Sequence, residues 1–96
     1  MEMHARVMQV GLGDVDKAIS FVRGQIVPAA RQQPGIVGAY WLADRDSGHG
    51  LAVTLWESKE AMLTADAAAR EASRDERKDG AVETATLEHY EVIAHF

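Results

Sequence analysis

Four histidines and two tryptophans carry most of the chemistry that this 96-residue sequence offers. His4, His49, His89 and His95 are the side chains that titrate near neutral pH without help, so each can serve as a general base or acid. Trp56 brings an indole N–H suited to a developing oxyanion. Tyr40, Trp41 and Tyr90 offer flat surfaces for an aromatic ligand. There is no cysteine, which removes disulfides, thiolate metal sites and cysteine nucleophiles. No His-x-x-x-His or His-x-x-Glu pair occurs, and His89-x-Glu91 alone does not make a metal site. Gly11-x-Gly13 lacks the third glycine of a dinucleotide fingerprint, and Gly-x-Ser-x-Gly is absent. The chemistry these residues leave open is proton transfer by a histidine, with no metal site expected.

The elements that must position these residues follow from periodicity and turn chemistry. Met3 to Val10 alternates partially and reads as a strand, broken by Gly11 and Gly13. Asp14 is an N-cap for the helix that follows. That helix presents Val15, Ala18, Ile19, Val22, Ile26 and Ala29 on one stripe, with a kink or restart expected near Pro28 and a last turn through Arg31. Pro34-Gly35 is a stop. Ile36 to Ala43 is a second strand, apolar on both faces, and Asp44 to Gly50 is a hairpin loop. Leu51 to Trp56 is the third strand, and Ser58 caps a second helix whose small-residue stripe is Ala61, Ala65, Ala68 and Ala72. These alanines either leave room for a ligand or mark close packing. Arg74 to Asp79 reads as a solvated helix end closed by Gly80. Val82 to Phe96 is the last strand, long for a globular domain.

The order β-α-β-β-α-β, with right-handed crossovers, predicts one α+β domain over residues 1–96 with a ferredoxin-like fold. Its four-stranded antiparallel sheet has the order 4-1-3-2, with both helices on one face. The other face is too apolar to stay open, which predicts a homodimer joined through the sheet. In this fold His4, His95 and Trp56 reach the same end of the sheet, while His89 lies inside the fourth strand. Net charge is −5 without a basic run, which argues against nucleic acid. No apolar run approaches the roughly 18 residues of a membrane span. Met1 to Gly11 is too polar and too short for a signal peptide, so a cytoplasmic location is expected.

The Trp56-x-Ser58-x-x-Ala61-Met62 pattern after a strand, together with Gln33-Pro34-Gly35 before the second strand, resembles the antibiotic biosynthesis monooxygenase family of dimeric α/β barrels. The resemblance implies either oxygenation of a phenolic or quinol-type aromatic without a cofactor, or haem degradation. Aligned on Trp56, the asparagine, tryptophan and histidine that haem degraders of the family use fall at Val7, Ala65 and Asp75, and none of the three is kept. The expected function is therefore a cofactor-independent monooxygenase. Its candidate catalytic residues are Trp56, His4, His89 and His95; Tyr40, Trp41 and Tyr90 are expected to bind substrate. The alternative is a non-catalytic dimeric binding module of the same fold.

Overall fold

The computed structural model describes residues 2–96; Met1, part of the N-terminal segment weighed above as a leader, lies outside them. The chain runs β1 (His4–Leu12), α1 (Val15–Phe21), a π-helical turn (Val22–Ile26), α2 (Val27–Arg31), β2 (Ile36–Asp44), β3 (His49–Trp56), α3 (Lys59–Thr64), α4 (Asp66–Lys78) and β4 (Val82–Glu91). All strand pairs are antiparallel, in the order β2-β3-β1-β4, which is the expected order read from the other edge. Among the described residues no helix is long and apolar enough to cross a membrane.

Local chemistry sets the element boundaries. Asp14 Oδ1 accepts from the Lys17 N–H at 3.1 Å, and Ser58 Oγ accepts from the Ala61 N–H at 3.1 Å, each satisfying an orphan donor of a first helical turn. Gly35 has φ +83°, and a Cβ there would meet the Ala61 Cβ at 2.6 Å, so only glycine lets the loop pass under α3. After α4, the Ala81 N–H reaches back to the Glu76 carbonyl and the Gly80 N–H to that of Arg77. With Gly80 at φ +80° this is a Schellman cap.

Four expectations change. The kink expected near Pro28 takes the form of a π turn, in which the Val27 N–H bonds Val22 O, five residues back. Pro28 has no N–H and crowds the carbonyl of Gly24, so widening the turn before it lets the helix continue. The second helix is broken at Ala65 into α3 and α4. β2 carries a bulge between Ile36 and Gly38, which places Ile36 against the core on the same side as Trp41. The fourth strand ends at Glu91, opposite His4, because β1 offers little beyond that point. Past it, among the described residues, only Val92 N–H to Met3 O continues the pairing.

Trp56, Met62 and Ala65 form the buried cluster, with Ile36 and Ala61 packed against it. It lies at the β3–α3 end of the sheet. Farther along, the first helical segment stands away from the strands, and the space between them is not filled.

Candidate active site

That space is a cavity of about 340 Å³ between the covered face of the sheet and the helices, within the range of sites for small organic ligands. The whole apolar stripe of the first helix walls it: Val15, Ala18, Ile19, Val22, Ile26 and Ala29. Ala68, Ala69 and Ala72 of α4 form the opposite wall, so the alanine stripe leaves room. Arg6, Met8, Trp41, Ala52 and Thr54 rise from the strands. The lining is mainly apolar; besides Arg23 and Gln33, its polar groups are Arg6, Thr54 and Trp56 at one end and Glu76 at the other.

At the first end, Trp56 is buried and its Nε1–H donates to Thr54 Oγ1 at 2.9 Å. The Arg6 guanidinium lies 5.1 Å from the Trp56 ring centroid, in cation–π range. Arg6 Nη1 donates to Asp66 Oδ1 at 3.0 Å and to Met62 O at 3.5 Å. His89 Nε2 donates to Asp66 Oδ2 at 2.7 Å. His89 faces Arg6 across the β1–β4 pair, so the register assembles this network. Every one of these polar groups has a partner.

At the second end is Glu76, 7% exposed, lining the cavity with no side-chain hydrogen bond to its carboxylate. Burial raises its pKa from the usual carboxylate range to about 7. Glu76 is eleven residues beyond Ala65 on the broken helix, roughly 16 Å at 1.5 Å per residue. It is the third residue before the cap residue Asp79, a position at which the Schellman motif usually carries an apolar side chain. A carboxylate there also opposes the helix dipole. A residue that breaks these local preferences while facing a cavity is a candidate for function.

The expectation of a solvated helix end over Arg74 to Asp79 is therefore corrected: Glu76 is buried. The signal was in the sequence, because Ala61, Ala65, Ala68 and Ala72 continue by one more helical step of four to residue 76. The other candidates disperse. Trp41 and Trp56 line the cavity. Tyr40 (66% exposed) and Tyr90 (48% exposed) stand on the uncovered face of the sheet, so the four aromatics do not converge. Tyr90 donates its O–H to Glu88 Oε2 at 2.8 Å, and this bond, which favours the neutral phenol, holds its pKa above the ordinary value. His4 pairs with Trp56 in the β1–β3 register but does not line the cavity. His95 lies in the exposed tail beyond β4, and His49 is exposed at the start of β3. Val7, the aligned position of the haem-degrader asparagine, alternates with Arg6 and points away from the cavity. No histidine lines the cavity and the α4 wall is alanine and Glu76, so these residues do not fit haem.

No family model matches the chain. Two uncharacterised proteins of Mycobacterium tuberculosis, Rv2557 and Rv2558, are 40% and 44% identical to it over 48 residues, half of its length. The chain spans about a fifth of the length of these curated relatives. Solved structures match much more of it. A monooxygenase from the gene ActVA-Orf6 of Streptomyces coelicolor, in complex with Nanaomycin D, superposes with a TM-score of 0.76, covering 97% of this chain and 89% of its own at 17% identity. The chain has the same fold as this monooxygenase. SnoaB, a cofactor-independent oxygenase from Streptomyces nogalater, shares this fold at TM-score 0.67 and 20% identity, over 99% and 94% of the two chains. So does MhuD, solved with manganese protoporphyrin IX, at TM-score 0.71 and 21% identity over 97% of both. The fold thus accommodates more than one kind of ligand, and the site must decide among them.

Proposed function

We propose that this chain is a cofactor-independent monooxygenase that oxidises a phenolic or quinol-type aromatic bound in the cavity, with Glu76 as the base. The observation that carries the reading is an unpartnered, buried carboxylate with a pKa of about 7, facing an apolar cavity of about 340 Å³. Glu76 removes the phenolic proton. The phenolate then gives one electron to O2, forming a substrate radical and superoxide. Their recombination makes a C–O bond, and the peroxide, after protonation, loses water to leave a quinone. Phenol plus O2 becomes quinone plus water, so no external reductant is needed. Arg6, its charge offset by Asp66, lines the cavity at the Trp56 end and orients the part of the substrate farthest from Glu76. Trp41 and Trp56 hold the ring.

The test is oxygen uptake with a panel of dihydroxy-aromatic substrates, wild type against Glu76→Gln. Uptake that is lost in a folded variant supports the proposal; uptake unchanged in the variant removes Glu76 as the base. The second reading, a module that binds an aromatic without turning it over, is favoured by one observation: the Trp56 N–H and Arg6 already have partners. No uptake with any substrate would put it ahead.

The proposal includes a cytoplasmic homodimer. Tyr40, Leu42, Leu51 and Tyr90 leave a large apolar surface on the uncovered sheet face, and a second copy is the partner with a matching surface. Light scattering should give twice the 10.5 kDa chain mass; the mass of one chain would overturn this part.

A further inference from the structure

A second concavity lies between α4 and β4, on the side of the helix next to the one that walls the cavity. It measures about 190 Å³ and is lined by Arg70, Ser73, Arg74 and Arg77 of α4 and by Thr86 of β4, over the apolar Met8, Ala85 and Leu87. That volume is below the roughly 300 Å³ at which pockets for drug-sized ligands begin. Residues 70, 73, 74 and 77 follow the i, i+3, i+4, i+7 spacing of one helix face, so the three guanidinium groups share one wall. We infer that this groove binds a phosphate-class oxyanion.

Three observations carry the inference. The arginines have no acidic partner: the ion pairs among the described residues are Arg6–Asp66, Arg45–Asp16 and His89–Asp66. Concentrating unpaired guanidinium groups on one face costs repulsion, in a chain whose net charge is −5. The helix dipole accounts for cations in the last turn, where Arg77 stands, but not for Arg70 and Arg74 in the middle of α4. Finally, Ser73 is 4% exposed and its Oγ accepts from Arg77 Nη1 at 3.0 Å. This bond fixes one guanidinium at the groove and leaves the Ser73 O–H as a donor. Guanidinium groups and a hydroxyl are the donors that phosphate oxygens take, and planar guanidinium bonds them in pairs.

The experiment is an amide and arginine Nε NMR titration of the full chain at constant ionic strength, with inorganic phosphate, glycerol phosphate and chloride in parallel. Saturable shifts at Ser73, Arg74, Arg77 and Thr86 with phosphate, absent with chloride, are expected. Tighter binding of glycerol phosphate would place the phosphoryl group on an organic ligand; tighter binding of inorganic phosphate would make the free ion the ligand. Arg74→Gln and Arg77→Gln are exposed changes that leave the fold intact, and each should weaken binding about tenfold. Lys78→Gln makes the same charge change outside the groove and should leave affinity within about twofold. Shifts that stay linear, that chloride reproduces, or that all three variants weaken equally would overturn the inference. None of these readouts depends on turnover in the cavity.

Discussion

The two ends of the cavity are built on opposite plans. At the Trp56 end, indole, threonine, arginine, aspartate and histidine use one another's hydrogen bonds, and the ring is closed over by Met62 and Ala65. At the Glu76 end, a carboxylate is largely shielded from water and has no hydrogen-bond partner among the described residues, keeping only its remaining solvent contact. A satisfied network anchored on the buried Trp56, Thr54 and Arg6, with His89 closing it from the surface, is rigid and expensive to alter, which suits a scaffold. A desolvated group without a partner gains most by reacting with whatever enters, and its pKa moves to where proton transfer is useful. The contrast locates reactivity at the end with fewer polar residues.

The sharpest way to break this comparison is Glu76→Gln. Loss of a general base should lower turnover by about a hundredfold to ten-thousandfold. The rate of the wild type should rise with pH through about 7, as the carboxylate ionises. Stability runs the other way. Glu76 has a raised folded-state pKa, so between its ordinary value of 4.5 and about 7 the folded chain holds a proton that the unfolded chain has released. Stability contributed by protonated Glu76 is therefore complete below pH 4.5 and lost as pH rises through about 7. Denaturant melts should show the wild type losing about 1–2 kcal/mol over that window relative to Glu76→Gln, less than the full shift implies because the carboxylate keeps some solvent contact. Parallel curves for the two proteins would mean that Glu76 is solvated.

Next in size is Asp66→Ala, directed at the satisfied end. It leaves the buried Arg6 guanidinium with only the long bond to Met62 O. Stranding one partner of a buried ion pair costs about 3 kcal/mol or more, a fall in Tm of about 10 °C or more for a domain of this size. Replacing both partners with apolar residues, Arg6→Met with Asp66→Leu, should recover most of the loss, because the desolvation cost then disappears with the charges. A double variant as unstable as the single one would show that the network contributes more than charge pairing.

The elements at these two ends were legible to different degrees. Asp14, Pro34-Gly35, Ser58 and Gly80 act on the residues beside them, so caps and stops can be read one position at a time, and they place the helices and the strand order. The bulge at Ile36/Gly38 and the end of β4 at Glu91 are decided by partner strands, which a local reading does not see. Within the site, Tyr40 and Trp41 are adjacent on one strand, so period two alone keeps them off a common face. Glu76 was obscured by its neighbours Arg74, Asp75, Arg77 and Lys78, whose charges suggest a solvated turn. Helical periodicity from Ala72 outranks composition there. The Arg6–Asp66–His89 network joins three separate elements and leaves no mark in any one of them.

The smallest expected effect is that of Trp56→Phe, and it discriminates most finely between the two ends. Phenylalanine keeps much of the apolar bulk against Met62 and Ala65 but deletes the N–H that Thr54 accepts. It also offers Arg6 a weaker face for the cation–π contact. Loss of one buried hydrogen bond with modest repacking should cost about 1–2 kcal/mol. An indole N–H that donated directly to a developing oxyanion would be worth a hundredfold or more in turnover. Because this N–H is already committed to Thr54, its loss should lower oxygen uptake by less than about tenfold, through a looser Arg6. Thermal melts and uptake assays on the same preparations separate the two roles. A hundredfold loss of uptake in a variant that still melts within a few degrees of the wild type would mean that Trp56 releases Thr54 when substrate binds, and that the satisfied end is the reactive one.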